Sequence, residues 1–163
     1  MSDGTIIIPV REARQFDEGA LYEYLTANID GFKGPLTVKQ FQGGQSNPTF
    51  LLETPERDYV MRKKPPGVLL PSAHAVDREY RVISALQDTD VPVPRTYCLC
   101  EDPDIIGTAF YVMERINGRV ITIPSIPKMA PAQRSAIYDS MNDALAKMHN
   151  VDVDAVGLSD FGK

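Results

Sequence analysis

The chain of 163 residues contains 17 lysine and arginine against 22 aspartate and glutamate residues, and its 43% hydrophobic and 24% charged residues are typical of a folded globular protein. The resulting net charge of −5 argues against a nucleic-acid partner, which normally needs a basic face. No apolar run approaches the roughly 20 residues that span a bilayer, and the first residues lack a signal-peptide pattern. We therefore expect no membrane partner and a cytoplasmic location.

In chain order, the hydrophobic pattern predicts a helix, three strands, a helix, two strands and a final helix. An irregular arm, residues 1–16, precedes a helix that begins at Asp17, where Leu21, Leu25 and Ile29 recur every four residues on one face. The predicted strands lie at 36–41, 49–53, 59–62, 96–100 and 109–114, and the later helices at 72–87 and 132–149. Strands that cluster first, with a last helix standing apart, predict the α+β class.

The turn between the first two strands, residues 43–47, is rich in glycine and short polar side chains. Gly43 and Gly44 allow a backbone to approach a phosphate closely, and Ser46 and Asn47 add polar donors beside the loop amides. The same residues suit a plain hairpin turn, because glycine and asparagine tolerate positive φ. The spacing differs from G-x-G-x-x-G and no helix follows, which argues against a Rossmann nucleotide site.

Two charged residues on successive elements are candidates for an ion pair. Arg62 lies on the third strand, where alternation puts it on the same face as Val60 and puts Lys63 on the opposite face. Glu79 lies at the edge of the buried face of the next helix, where a carboxylate needs a partner. A small apolar Val60 beside a fixed cation suits an adenine next to phosphates. Each charge alone is equally typical of a solvated surface.

The other reactive side chains give no site of their own. His74 falls early in the second predicted helix, at an expected surface position. Cys98 and Cys100 lie two apart on a strand, with too few ligands nearby for a metal site, so we expect free thiols in a reducing compartment. The last strand, predicted to end at Glu114, runs into a glycine-containing connector, and such a strand end can offer backbone groups to an adenine edge.

Together these features resemble the aminoglycoside phosphotransferase/choline kinase-like family, and within it the kinase-like domains related to those of some acyl-CoA dehydrogenase family proteins. The segments that carry the resemblance are GGQSNPTF (43–50), YVMRKKPPG (59–67), DREYRVISAL (77–86), VPVPRTY (91–97), FYVMERINGRV (110–120) and LAKMHNVD (145–152). The resemblance implies a kinase-like N-terminal lobe, a five-stranded antiparallel sheet with a helix, over 17–116. Residues 117–163 would then be a hinge, a linker and the first helix of a C-terminal lobe.

The resemblance also implies a chemistry. ATP would bind between the two lobes and pass its γ-phosphate to a hydroxyl of a small metabolite or aminoglycoside-like acceptor, with Mg²⁺ as the second cofactor. Gly43–Asn47 would match the phosphate loop, Arg62 the lysine of protein kinases and Glu79 the helix partner of that cation. The residues that would match the gatekeeper and the hinge are Met113, Glu114 and Ile116.

The chain departs from this family at the catalytic motif, a His-Gly-Asp with an asparagine five residues after the aspartate. In His149–Asp152 two residues separate histidine from aspartate, and Gly157 stands where the asparagine is expected. Asp160–Gly162 resembles the magnesium motif of protein kinases but follows too closely. We therefore expect the catalytic base, the Mg²⁺ ligands and the acceptor pocket to lie beyond Lys163, and these 163 residues alone to be inactive. The alternatives are a nucleotide-binding pseudokinase or regulatory module, and a plain interaction domain.

Overall fold

The computed structural model describes residues 6–43, 47–67, 74–121 and 123–162. The strands are β1 (Ile7–Ile8), β2 (Thr37–Phe41), β3 (Thr49–Glu53), β4 (Asp58–Lys63), β5 (Thr96–Cys100) and β6 (Phe110–Glu114). The helices are α1 (Glu18–Asn28), α2 (Val76–Leu86), α3 (Pro103–Ile106) and α4 (Pro131–His149), and a short 3-10 helix spans Glu12–Arg14. The strands form one antiparallel sheet in the order β1-β2-β3-β4-β6-β5.

The α+β class is confirmed, and the five predicted strands are present with bounds shifted by at most one residue. The arm that the sequence predicted to be irregular contributes a sixth strand, β1. Its Ile7 and Ile8 pair with Phe41 and Gln40 of β2. Without β1, strand β2 would be an edge strand with open backbone donors and acceptors, so this pairing depends on tertiary contact rather than on the local pattern.

Helix α1 begins at Glu18, one residue after the predicted start at Asp17, which is its N-cap. The Asp17 carboxylate accepts a hydrogen bond from the backbone N–H of Ala20 (2.9 Å), which satisfies one of the unpaired donors of the first turn. The predicted apolar face is buried at Leu21, Leu25 and Ile29. This face packs on one side of the sheet and closes the hydrophobic core.

The core occupies one face of the sheet. Alternation directs Phe50 of β3, Met61 of β4 and Phe110 of β6 to the same side, where α1 and α3 cover them. The buried core residues are Leu21, Leu25, Ile29, Phe32, Val38, Phe50, Leu52, Tyr59, Met61, Cys98, Cys100, Ile106, Phe110 and Val112. Each such side chain contributes about 1.5–3 kcal/mol through burial, so the sheet forms a rigid framework for its opposite face.

Lys63 is a charged residue within this apolar side. It lies on the face opposite Arg62, as predicted, and it is 4% exposed. Its ammonium donates to the carbonyl of Ile106 (3.2 Å) and lies 4.8 Å from the ring centre of Phe16. Burial lowers the pKa of Lys63 below its ordinary value.

The second face of the sheet is covered in part by α2. Register places Thr49, Arg62 and Tyr111 side by side across β3, β4 and β6, and places Val60 opposite Met113. Helix α2 packs against β5 and β6 on this side. The predicted ion-pair residues therefore belong to the face that is not filled by the core.

The start of α2 differs from the prediction. The helix begins at Val76 rather than at residue 72, and residues 72 and 73 lie outside the described part of the chain. His74 is therefore not a helical surface residue: it precedes the helix with φ 57°. Its ring contacts a buried side chain of the candidate site.

Helix α4 stands apart from the core. It has no buried residue, and its larger apolar side chains, Tyr138, Met141, Leu145 and Met148, are exposed. Of the helices described, none is both long enough and apolar enough to cross a membrane.

Candidate nucleotide site

The predicted ion pair between Arg62 and Glu79 is present. Arg62 Nε lies 3.0 Å from Glu79 Oε2, and Nη2 donates to Oε1 at 3.3 Å. Both side chains are about one-third exposed, at 33% each. Two residues that are 17 apart in the chain, one on strand β4 and the other on helix α2, thus meet in an ion pair.

Tyr111 holds the second oxygen of the Glu79 carboxylate. It lies directly opposite Arg62 in the β4–β6 register, and its hydroxyl donates to Oε2 at 3.0 Å. Burial, reinforced by the charge of Glu79, raises the pKa of the Tyr111 phenol, so that this group remains a protonated donor. Tyr111 was not among the residues predicted from the sequence, although strand alternation puts it on the same face as Met113.

Asn47 is the third side chain that binds Glu79. It is 3% exposed, and its Nδ2 donates to Oε1 at 2.8 Å. Its Oδ1 faces His74 Nδ1 at 3.1 Å. Because an amide oxygen can only accept, this contact requires a proton on Nδ1 of His74. The Asn47 side chain is therefore directed at the ion pair, and its expected contact with a phosphate stays a prediction.

The glycine-rich loop is only partly described. Gly43 has φ +134°, a region that favours glycine. Gly44, Gln45 and Ser46 lie outside the described residues, so their expected contacts with phosphates remain predictions. The loop connects β2 to β3 and leads directly into Asn47, which fixes one end of it beside Glu79.

An apolar surface adjoins the ion pair on the same face. Val60 is nearly buried and lies opposite Met113, and Leu51 of the neighbouring strand is fully buried beside Val60. At the end of β6 the Glu114 amide donates to the Arg95 carbonyl at 2.7 Å. The side chain of Ile116, two residues further on, is largely exposed.

A cleft that the sequence did not predict follows the strand end. It has a volume of about 630 Å³ and lies between the connector and α4, with Arg119, Ile121, Gln133 and Met141 among its lining residues. Within the part of the chain that the structure describes, no group of three or more His, Cys, Asp or Glu side chains is arranged to hold a metal ion.

His149–Asp152 and Asp160–Gly162, which resemble catalytic motifs in sequence but have the wrong spacing, make structural contacts. Asp152 Oδ1 accepts from the backbone N–H groups of Asp154 (3.0 Å) and Ala155 (3.1 Å), as in a turn. Asp160 pairs with Arg81 of α2. Neither carboxylate lies in a cluster with the Arg62–Glu79 pair.

Comparisons with known proteins place the chain among phosphotransferases. The model of the phosphotransferase enzyme family, APH, matches residues 37–163. The "Probable acyl-CoA dehydrogenase IBR3" of Arabidopsis thaliana is 48% identical over 170 residues, which cover 99% of this chain and 21% of that protein. The "Acyl-CoA dehydrogenase family member 10" of Mus musculus is 46% identical over 156 residues, which cover 95% of this chain and 15% of that protein.

A solved structure has the same fold. The crystal structure of a "putative aminoglycoside phosphotransferase" from Ralstonia eutropha matches with a TM-score of 0.80 and 53% identity, over 91% of this chain and 43% of that one. The chain therefore spans no more than about a fifth of these curated relatives and less than half of the structural relative. Since the family model matches well over half of the sequence, the chain belongs to the APH phosphotransferase enzyme family.

Proposed function

We propose that this chain forms the nucleotide-binding part of a phosphotransferase that transfers the γ-phosphate of ATP to a hydroxyl of a small molecule. The observation that carries the proposal is the Arg62–Glu79 pair, held by Asn47 and Tyr111 on the face of the sheet that α2 covers in part. Family membership supports the reaction class. The acceptor is proposed only as a small hydroxyl compound, a metabolite or an aminoglycoside-like molecule.

Phosphoryl transfer requires a cation that is held in a fixed position near the phosphates. An arginine guanidinium stays charged at any physiological pH and presents several donors in a plane. Two contacts from Glu79 restrict the rotation of Arg62, so less side-chain entropy remains to be lost when the guanidinium meets a phosphate. Transfer depends mainly on such positioning and on neutralising charge at the phosphates.

The other proposed contacts with the nucleotide are made by residues near Arg62 on the same face of the sheet. The adenine would lie against the apolar pair Val60 and Met113, and its edge would meet the backbone of Glu114 and Ile116. The phosphates would lie beneath the loop Gly43–Asn47, whose amides would donate to their oxygens. No magnesium ligand is assigned to the described residues.

Nucleotide titrations test the proposal. The chain is titrated with ATP and with adenosine by calorimetry, and the titrations are repeated with Arg62→Ala. We expect the variant to lose about ten- to a hundredfold in ATP affinity, the equivalent of a charge-assisted hydrogen bond of 1.5–3 kcal/mol. Adenosine affinity should change much less, because adenosine has no phosphate.

The control variant is Lys147→Ala. Lys147 pairs with Asp143 at 2.7 Å on α4 and resembles Arg62 in exposure, at 39% against 33%. Because Lys147 lies on none of the strands that would face the nucleotide, Lys147→Ala should leave both affinities unchanged. Absence of nucleotide binding by the folded chain, or equal losses of ATP and adenosine in Arg62→Ala, would reject the proposed site.

A further inference from the structure

Helix α2 is held on the side away from the sheet by a segment that lies far along the chain. Arg81 donates through Nη1 to Asp160 Oδ2 (3.1 Å) and through Nη2 to Asp160 Oδ1. Nη2 also donates to the carbonyl of Gly157 (3.0 Å). Three contacts to two residues make this a bidentate pair with an added backbone anchor, the geometry for which arginine is suited.

A second contact joins the same two segments. The guanidinium of Arg78 lies 4.7 Å from the ring centre of Phe161. Arg78 and Arg81 are three residues apart and so neighbour each other on the helix surface. Two arginines on one helix face thus hold two successive residues, Asp160 and Phe161, of the segment that follows α4.

Glu79 lies between these two arginines in sequence and faces the opposite way. It contacts β4, β6 and the residue before β3, through Arg62, Tyr111 and Asn47. Only Val76 and Leu86, at the two ends of α2, are buried. Between these ends, Tyr80 packs against Tyr111 and Ser84 hydrogen-bonds to Thr96 on the sheet side of the helix. Arg78 and Arg81 hold the opposite side, and any shift of α2 moves Glu79 with it.

We propose that Arg81 is a positioning residue: by fixing α2 to the segment Gly157–Asp160 it sets the place of Glu79 and, through Glu79, the orientation of the Arg62 guanidinium. The Arg81–Asp160 contact then couples the region after α4 to the cation of the nucleotide site. This inference rests on the proposed function only for its consequence in ATP binding. The coupling between the positions of Arg81 and Arg62 depends only on the contacts described above.

The direct test follows the Arg62 Nε–H resonance by NMR in the 15N-labelled full chain, together with amide hydrogen exchange of α2. In Arg81→Ala we expect a shift of the Arg62 resonance and faster exchange of the α2 amides. ATP affinity should fall about two- to fivefold, the range for one partly exposed ion pair. Adenosine affinity should not change.

Conservative and exchange variants separate positioning from general stability. Arg81→Lys retains the charge but cannot form the bidentate contact, so it should show part of the shift. The double exchange Arg81→Asp with Asp160→Arg should restore the Arg62 resonance toward its original position. Lys147→Ala is the control, because Lys147 pairs with Asp143 on α4 in a similarly exposed ion pair that does not touch α2.

The outcomes distinguish this inference from the proposed function. If the native chain binds no ATP but Arg81→Ala still shifts the Arg62 resonance, the proposed function fails and the positioning role holds. If ATP binds and the Arg62 resonance and α2 exchange are the same in Arg81→Ala as in the native chain, the positioning role is wrong. Should Arg81→Ala fail to fold, Arg81→Lys and the double exchange decide.

Discussion

A carboxylate that is one-third exposed needs no protein donor, because water can satisfy it. Glu79 nevertheless receives side chains from three different elements: Arg62, Tyr111 and Asn47. Each of these side chains gives up its own solvation and rotamer freedom to make the contact. Such a convergence fixes the carboxylate in one place, which is useful when the position of its arginine partner matters.

Asn47 provides the sharpest test at the residue scale. Asn47→Ala removes the donor to Glu79 and leaves His74 without its acceptor, so we expect the free energy of unfolding to fall by about 1–3 kcal/mol. Urea denaturation measures this change. Asn28→Ala is the matched control, since Asn28 donates to the Tyr24 carbonyl from an exposed position and should cost under about 0.5 kcal/mol. Equal losses in the two variants would show that Asn47 does not hold Glu79.

Tyr111 allows the hydroxyl to be tested apart from the ring. Tyr111→Phe keeps the buried ring and removes the donor to Glu79, so we expect a loss of about 1–2 kcal/mol in the free energy of unfolding. Tyr138→Phe removes an exposed hydroxyl that donates to the Pro124 carbonyl and should cost far less. A Tyr111→Phe chain as stable as the native one would contradict the network around Glu79.

The sequence predicted the charged pair but not the polar residues that fix it. Arg62 and Glu79 were predictable because strand alternation and helix periodicity put both at the edge of a buried face. Asn47 was predicted as a donor of the phosphate loop, which stays a prediction, but its contact with Glu79 was not predictable, since local pattern cannot show which way a loop side chain turns. His74 was assigned to a helix surface because a positive φ at a non-glycine residue has no sequence signature.

At the scale of elements, α3 shows where periodicity fails. Its four residues are too few to reveal a helical period, and the sequence analysis therefore contains no helix between the last two predicted strands. The helix exists because the Asp102 side chain accepts from the Asp104 amide and Ile106 is buried in the core. Proline at the first helical position favours this start.

The end of α3 supplies a test of this element. Gly107 has φ +86°, and its N–H donates to the Pro103 carbonyl at 2.7 Å. A Cβ there would meet no atom within 4 Å, so Gly107→Ala should cost about 1 kcal/mol from the left-handed backbone alone. Gly118→Ala is the control, because its Cβ would make only an ordinary contact with Ile116 at 3.9 Å. Chemical denaturation that finds no difference between the two variants would contradict this account of the cap.

At the scale of the whole molecule, the sheet separates two kinds of interaction. One face holds the apolar core, and the other holds the Glu79 network and the apolar surface at Val60 and Met113. The core side carries most of the stability, so conservative changes at Arg62 or Arg81 on the other side should leave the fold intact. A loss of ATP affinity in such a variant would then report a change at the site and not unfolding of the chain.

The core also makes the stability of the molecule fall at alkaline pH. Burial, together with the neighbouring Cys100, raises the pKa of Cys98 from 9.0 to about 12. The unfolded chain releases this proton near its ordinary pKa, whereas the folded chain keeps it. The contribution of the protonated Cys98 thiol to the free energy of unfolding is therefore fully present below about pH 9. As the pH rises from there toward 12, the free energy of unfolding falls by about 1.4 kcal/mol per pH unit for this one proton.

Cys98→Val isolates this contribution, since valine fits a buried strand position and does not titrate. The difference in unfolding free energy between variant and native chain at pH 7 measures packing alone. From pH 9.5 to 11 that difference should shift in favour of the variant by about 1.4 kcal/mol per pH unit. Burial also raises the pKa of Tyr24 and Tyr59, which are present in both chains. A Cys98 thiolate adds to the shift of Tyr24, but the folded chain forms this thiolate only near pH 12, so up to pH 11 the two tyrosines contribute almost equally in both chains. Urea denaturation at pH 7, 9.5, 10 and 11 measures how this difference in unfolding free energy changes with pH. If the difference stays constant, the Cys98 thiol ionises as readily in the folded chain as in the unfolded one, and the prediction is wrong.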